Sequence, residues 1–162
     1  MKRVFLFSTL VFLLASSGGV LRCQQLTVQI DSGKQVVLNR ADLEALPHIK
    51  VTAVAHSSDP VNFEGVTLKS ILEKAGVTFG ESMNGKRLAS FLLVEAADGY
   101  RAVIALPELD PAFTDKQTML AFLRNGKPLD EKEGPYRIVI PDEKRMARWV
   151  RQVTTLKIVD VQ

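Results

Sequence analysis

Lys144, Arg145, Arg148 and Arg151 surround Trp149, the only tryptophan of the chain. A guanidinium offers planar, paired N–H donors that match a phosphate or carboxylate, and an indole offers a flat apolar wall. The segment therefore reads either as a cationic pocket for a phosphate or similar anion, or as a solvated basic rim with Trp149 packed into the core. His48 and His56 each have an acid nearby, Glu44 and Asp59, yet the spacing fits no metal motif, so both are expected to be structural or solvated. No structural metal is expected. Ser57 and Ser58 beside His56 form no nucleophile elbow and suit a turn better. A P-loop and a Gly-x-Gly-x-x-Gly run are both missing from the sequence. Acids gather between Glu108 and Glu133 without calcium-loop spacing, as on a solvated face.

Cys23 is the single cysteine, which excludes an internal disulfide, a Cys-x-x-Cys redox pair and a zinc knuckle. Lys2 and Arg3 precede an uncharged run from Val4 to Ala15, followed by Ser16, Ser17, Gly18 and Gly19. The run is too short to span a bilayer, which takes about 20 residues, and has the length of a signal-peptide core. Residues 1–19 are therefore expected to be a cleaved signal, leaving 20–162 as a single domain of about 140 residues in the periplasm or secreted, with no transmembrane segment after cleavage. Arg22 before Cys23 argues against lipidation, because a small residue normally precedes a lipid-modified cysteine. The 21 basic and 18 acidic residues become 19 and 18 without the signal, so nothing in the global charge favours nucleic acid as a partner.

The elements that would position these residues follow from periodicity. Leu26, Val28 and Ile30 alternate with polar residues, and Val36 to Leu38 resumes after a turn at 31–34, which predicts a short strand pair. Asn39 can cap a brief helix through Leu46 before Pro47, and Ile49, Val51, Ala53 and Ala55 alternate as a strand. Val61 to Phe63 leads through Gly65 into a helix over 66–75, whose Leu68, Ile71, Leu72 and Ala75 share one face and which Gly76 stops. Phe91–Ala96 and Tyr100–Leu106, joined by Ala97-Asp98-Gly99, predict a hairpin. Apolar residues on both phases of its alternation place it centrally, covered on both faces. Met119–Leu123, Tyr136–Ile140 and Val153–Val159 predict further strands, with a loop or short helix over 141–149.

Three ordered segments carry a resemblance. The first is Phe63-Glu64-Gly65-Val66-Thr67-Leu68-Lys69-Ser70-Ile71-Leu72, running to Ala75-Gly76. The second is Val94-Glu95-Ala96-Ala97-Asp98-Gly99-Tyr100 with the strand ending at Leu106-Pro107. The third comprises Leu120 to Leu129 around Asn125-Gly126, then Gly134-Pro135-Tyr136-Arg137-Ile138-Val139-Ile140-Pro141, then Lys144 to Trp149. Together they resemble the oxidoreductase molybdopterin-binding domain of sulfite oxidases. The resemblance implies an α+β fold of layered, mixed β-sheets with few short helices, and molybdopterin as the cofactor.

In catalytic members of that family a cysteine thiolate, on the loop before the Gly-Val-x-Leu helix, binds molybdenum, a soft ligand for a sulfur-rich centre. The corresponding stretch here is Val54-Ala55-His56-Ser57-Ser58. The resemblance thus implies a binding protein whose pocket is formed by His56, Tyr100, Arg101, Arg145, Arg148 and Trp149 and holds a small anionic ligand such as a pterin-type cofactor. Two other readings stay open: a molybdenum-dependent oxidoreductase with a ligand other than cysteine, and an accessory module serving a redox partner protein.

Overall fold

The computed structural model describes residues 24–30, 33–54, 59–141 and 143–161. The expected signal segment, Cys23 and His56 lie outside them. Among the described residues ten strands form two sheets. The first has the order β2 (Gln35–Leu38), β1 (Leu26–Gln29), β10 (Val153–Val159), β5 (Phe91–Ala96), β6 (Arg101–Ala105). The second runs β3 (His48–Val54), β4 (Pro60–Thr67), β7 (Met119–Arg124), β8 (Lys127–Pro128), and β9 (Arg137–Val139) also pairs with β7. Two short α-helices, α1 (Arg40–Glu44) and α2 (Leu68–Ala75), complete the expected α+β pattern of layered, mixed sheets.

Local chemistry explains most element ends. Asn39 accepts a hydrogen bond from the Asp42 N–H while Asp42 accepts one from the Asn39 N–H, a reciprocal cap that starts α1. Thr67 caps α2, and Gly76 ends it at φ 103°, a left-handed conformation that favours glycine. All four residues of the expected apolar face, Leu68, Ile71, Leu72 and Ala75, are buried. Strand β4 runs on to Thr67, further than the periodicity indicated, because Gly65 lets β4 lie against β7: a Cβ there would stand 2.0 Å from the Leu120 carbonyl oxygen.

One apolar core joins both sheets and α2. Val28, Val94, Leu156 and Ile158 of the first sheet belong to the same core cluster as Phe63, Leu120, Phe122 and Ile138 of the second. Strands β1 and β10, from opposite ends of the chain, pair in parallel with Val28 opposite Leu156, so the intervening fold is the crossover that a parallel pair needs.

The β5–β6 hairpin forms, with Gly99 at φ 86° and the Gly99 N–H donating to the Ala96 carbonyl. Its expected central, doubly covered position does not hold. Strand β5 lies between β10 and β6, but β6 is the edge, and Val103 is 47% exposed. Apolar residues on both phases fail to distinguish an inner strand from an edge strand whose outer face carries valine.

Candidate functional site

The site is built around Arg137. Strand β9 is buried along its whole length, between β7 and the segment where Val150 accepts from the Ile138 N–H, so the Arg137 side chain is only 3% exposed. Its guanidinium packs against a pair of aromatic rings, with centroids 5.5 Å away at Phe63 and 5.4 Å away at Trp149. Those rings meet edge to face at 6.0 Å. Nη1 donates to Glu133 Oε1, which also takes Arg124 Nη1 at 3.1 Å. Burial pushes the Arg137 pKa below its ordinary value, and Glu133 opposes that shift, so the group stays charged. Its Nε is buried and has no hydrogen-bond partner among the described residues.

A cleft of about 500 Å³ opens onto this arginine. Tyr100 and Trp149 form walls; Lys132 and Arg151 add positive charge and Asp98 one negative charge. With Arg137 the cationic residues exceed the acidic one by two, a balance suited to a dianion such as a phosphate monoester. Three local features shape it. The Trp149 indole N–H donates to the Ile140 carbonyl at 3.0 Å, which satisfies its polar edge and fixes the ring. The Tyr100 hydroxyl donates to the Ala147 carbonyl at 2.8 Å, tying the hairpin turn to the segment before Trp149. Gln152, at φ 51°, turns the chain into β10 and donates from Nε2 to the Glu131 carbonyl. A left-handed non-glycine residue costs energy and is enriched where a site is shaped.

Trp149 also lines a smaller hollow of about 300 Å³, together with Thr52, Ala53, Val54, Pro60 and Glu143. The strand ends flanking residues 55–58 therefore reach the same indole as the cationic cleft. His56 itself is outside the described residues.

Of the other expected site residues, Tyr100 and Trp149 come together at the cleft. Arg101 is 66% exposed and bonds Glu95 through Nε at 2.8 Å on the outer face of the first sheet. Arg145 is exposed just before a 3-10 turn at Met146–Arg148. The Arg148 guanidinium is directed to Glu143, Glu108 and the Val103 carbonyl, and this residue does not line the cleft. Burial alone would push the Arg148 pKa down, but its hydrogen bonds with Glu143 and Glu108 outweigh that and hold it above the ordinary value.

Arg137, Lys132 and Gln152 are not picked out by charge density. The signal for Arg137 was its place: a lone charge inside the apolar run Tyr136–Ile140, where a cation has no business in a core unless it is paired. His48 is structural, bonded through Nδ1 to Glu64 at 3.3 Å and through Nε2 to the Glu44 carbonyl at 3.1 Å. Among the described residues no three His, Cys, Asp or Glu side chains converge as metal ligands, and no helix is long and apolar enough to cross a membrane.

The described residues thus form a two-sheet α+β scaffold with a cationic, aromatic-walled cleft. The chain belongs to the oxidoreductase molybdopterin binding domain family, whose profile matches residues 21–162. Among solved structures it is similar to the sulfane dehydrogenase SoxCD from Paracoccus pantotrophus, at 22% identity and a TM-score of 0.67. That similarity covers 85% of this chain and 38% of that chain, so this chain spans well under half of its neighbour's length. No curated protein matches it in sequence.

The site residues fit the organic part of the family's cofactor. Arg137, whose buried Nε has no partner among the described residues, lines a cleft whose size lies within the roughly 300–1,000 Å³ usual for small-molecule sites. The stretch Val54–Ser58 contributes no thiolate for the metal.

Proposed function

We propose that this chain is an exported binding protein that takes the phosphate end of a pterin-type cofactor into the Arg137 cleft and does not itself catalyse a redox reaction. The observation that carries the reading is Arg137, buried against the Phe63 and Trp149 rings with its Nε unpaired among the described residues, and lining a cationic cleft. A charged group at 3% exposure costs free energy unless something compensates it, and Glu133 satisfies only one edge of the guanidinium. An incoming phosphate would complete it. Arg151 and Lys132 would hold the outer oxygens, and the Trp149 ring would cover an apolar ring system. Bound there, a molybdopterin would carry molybdenum in sulfur-rich coordination. The family's cysteine thiolate has no counterpart at 54–58, and that absence favours binding without turnover. Export rests on Lys2-Arg3 and the apolar run to Ala15.

Expression in a host that makes molybdopterin tests this reading. The purified protein is expected to contain pterin with substoichiometric molybdenum, and to turn over neither sulfite nor sulfoxide. Stoichiometric molybdenum with turnover would establish the enzyme instead, with a ligand other than cysteine at the metal. Protein free of pterin that co-purifies with a haem or molybdenum subunit would favour the accessory-module reading.

A further inference from the structure

Arg137 packs against the Trp149 ring and Arg148 precedes it in the chain, but their donors are used in opposite ways. A guanidinium has five N–H donors. For Arg148 five contacts account for them: Nε to Glu143 Oε1 at 2.7 Å, Nη2 to the same oxygen, Nη2 and Nη1 to Glu108 Oε2 at 3.4 Å, and Nη1 to the Val103 carbonyl at 3.4 Å. No donor is left for a ligand.

Those contacts lie along the free edge of the first sheet. The Leu106 N–H bonds the Ser90 carbonyl and the Ala96 N–H bonds the Tyr100 carbonyl, so alternate residues between them, Ile104 and Ala102, face β5. Arg101, Val103 and Ala105 then turn their backbone groups outward. Arg148 takes the Val103 carbonyl, and Glu108 Oε1 takes the Ala105 N–H at 3.3 Å. With Tyr100 holding Ala147, residues 143–149 form a strap fastened along β6, and Trp149 is its last residue.

We infer that Arg148 is a positioning residue for the Arg137 cleft, clamping the strap to the β6 edge so that the Trp149 wall stays over the guanidinium of Arg137. The inference rests on the proposed anion binding at Arg137 for its affinity readout, and on Trp149 emission for a readout independent of it. Because Trp149 is the only tryptophan, emission reports on the strap alone.

The test compares Arg148→Ala and Glu143→Gln with the unaltered protein, by inorganic phosphate affinity and by Trp149 emission and acrylamide quenching. A clamp predicts that both variants weaken phosphate by about threefold to tenfold, red-shift the emission and raise quenching. Coulomb attraction predicts the opposite for Glu143→Gln, since removing a negative charge near a cationic cleft should tighten phosphate. Tighter binding in Glu143→Gln with unmoved emission would overturn the inference, and so would unmoved emission in both variants. If the unaltered protein binds no phosphate, the reading of the cleft fails, and the emission result still decides on the clamp. Arg148→Lys keeps the charge without the fork; it should behave as Arg148→Ala does and serves if the alanine variant does not fold.

Discussion

Arg137, Arg148 and Arg151 are close in sequence and chemically identical, yet each meets a different environment. Density of charge makes Lys144 to Arg151 conspicuous in the sequence, and that segment does supply Trp149 and Arg151 to the cleft. Hydrogen-bond saturation, which decides whether an arginine is available, depends on Glu108 and Glu143 folding onto it and cannot be read from spacing. Two substitutions separate the roles. Arg151→Ala should lower phosphate affinity about threefold to tenfold with the melting temperature nearly unchanged, because Arg151 is exposed. Glu133→Gln removes the carboxylate shared by Arg124 and Arg137 and should cost about 3–5 kcal/mol, measured by urea unfolding, since it leaves a buried cation without its partner. A cost under 1 kcal/mol would mean that the pair contributes little to folding.

Among the elements, periodicity located α2, the β5–β6 hairpin and β10 because each pattern is local. It could not tell that β6 lies at an edge, since edge position depends on which strand is absent beside it. Leu72→Ala should cost about 2–5 kcal/mol, as Leu72 is fully buried on the α2 face. Gly65→Ala should cost at least about 3 kcal/mol, because the clash is with backbone of β7 and not with a movable side chain. Asp110 ties two loops together, accepting from the Gly80 N–H at 2.6 Å and the Ala112 N–H at 3.1 Å. The Gly80 N–H chiefly holds its carboxyl below the ordinary range, against the opposing effect of burial. A depressed folded pKa stabilises above the unfolded value, about 3.9, and that contribution is lost as pH falls through the folded one. Asp110→Asn should therefore be less stable than the unaltered protein by about 1.5–3 kcal/mol at neutral pH, with the gap narrowing below about pH 4. A gap that stays constant from pH 7 to pH 3 would count against the assignment.

Across the whole molecule, the pairing of the first strand with the last and the division into two sheets are properties of topology. Their only trace in the sequence is the order of the three family-like segments. The Asp-Gly turn, the Asn-Gly turn and the Arg-containing strand come together at the cleft: Arg124 and Arg137 share Glu133, and Tyr100 lines the cleft beside Arg137 and Trp149 and bonds the Ala147 carbonyl. With an apolar core shared by both sheets, the protein without residues 1–19 should melt cooperatively in the presence of chelator and without reductant. Whether Arg137 makes the cleft an anion site is tested most directly by calorimetric titration with a phosphate monoester. One saturable site per chain is expected, weakened about tenfold to hundredfold in Arg137→Met, with a cooperative melt of that variant as the control for folding. Absence of binding in the unaltered protein, or equal affinity in Arg137→Met, would contradict it.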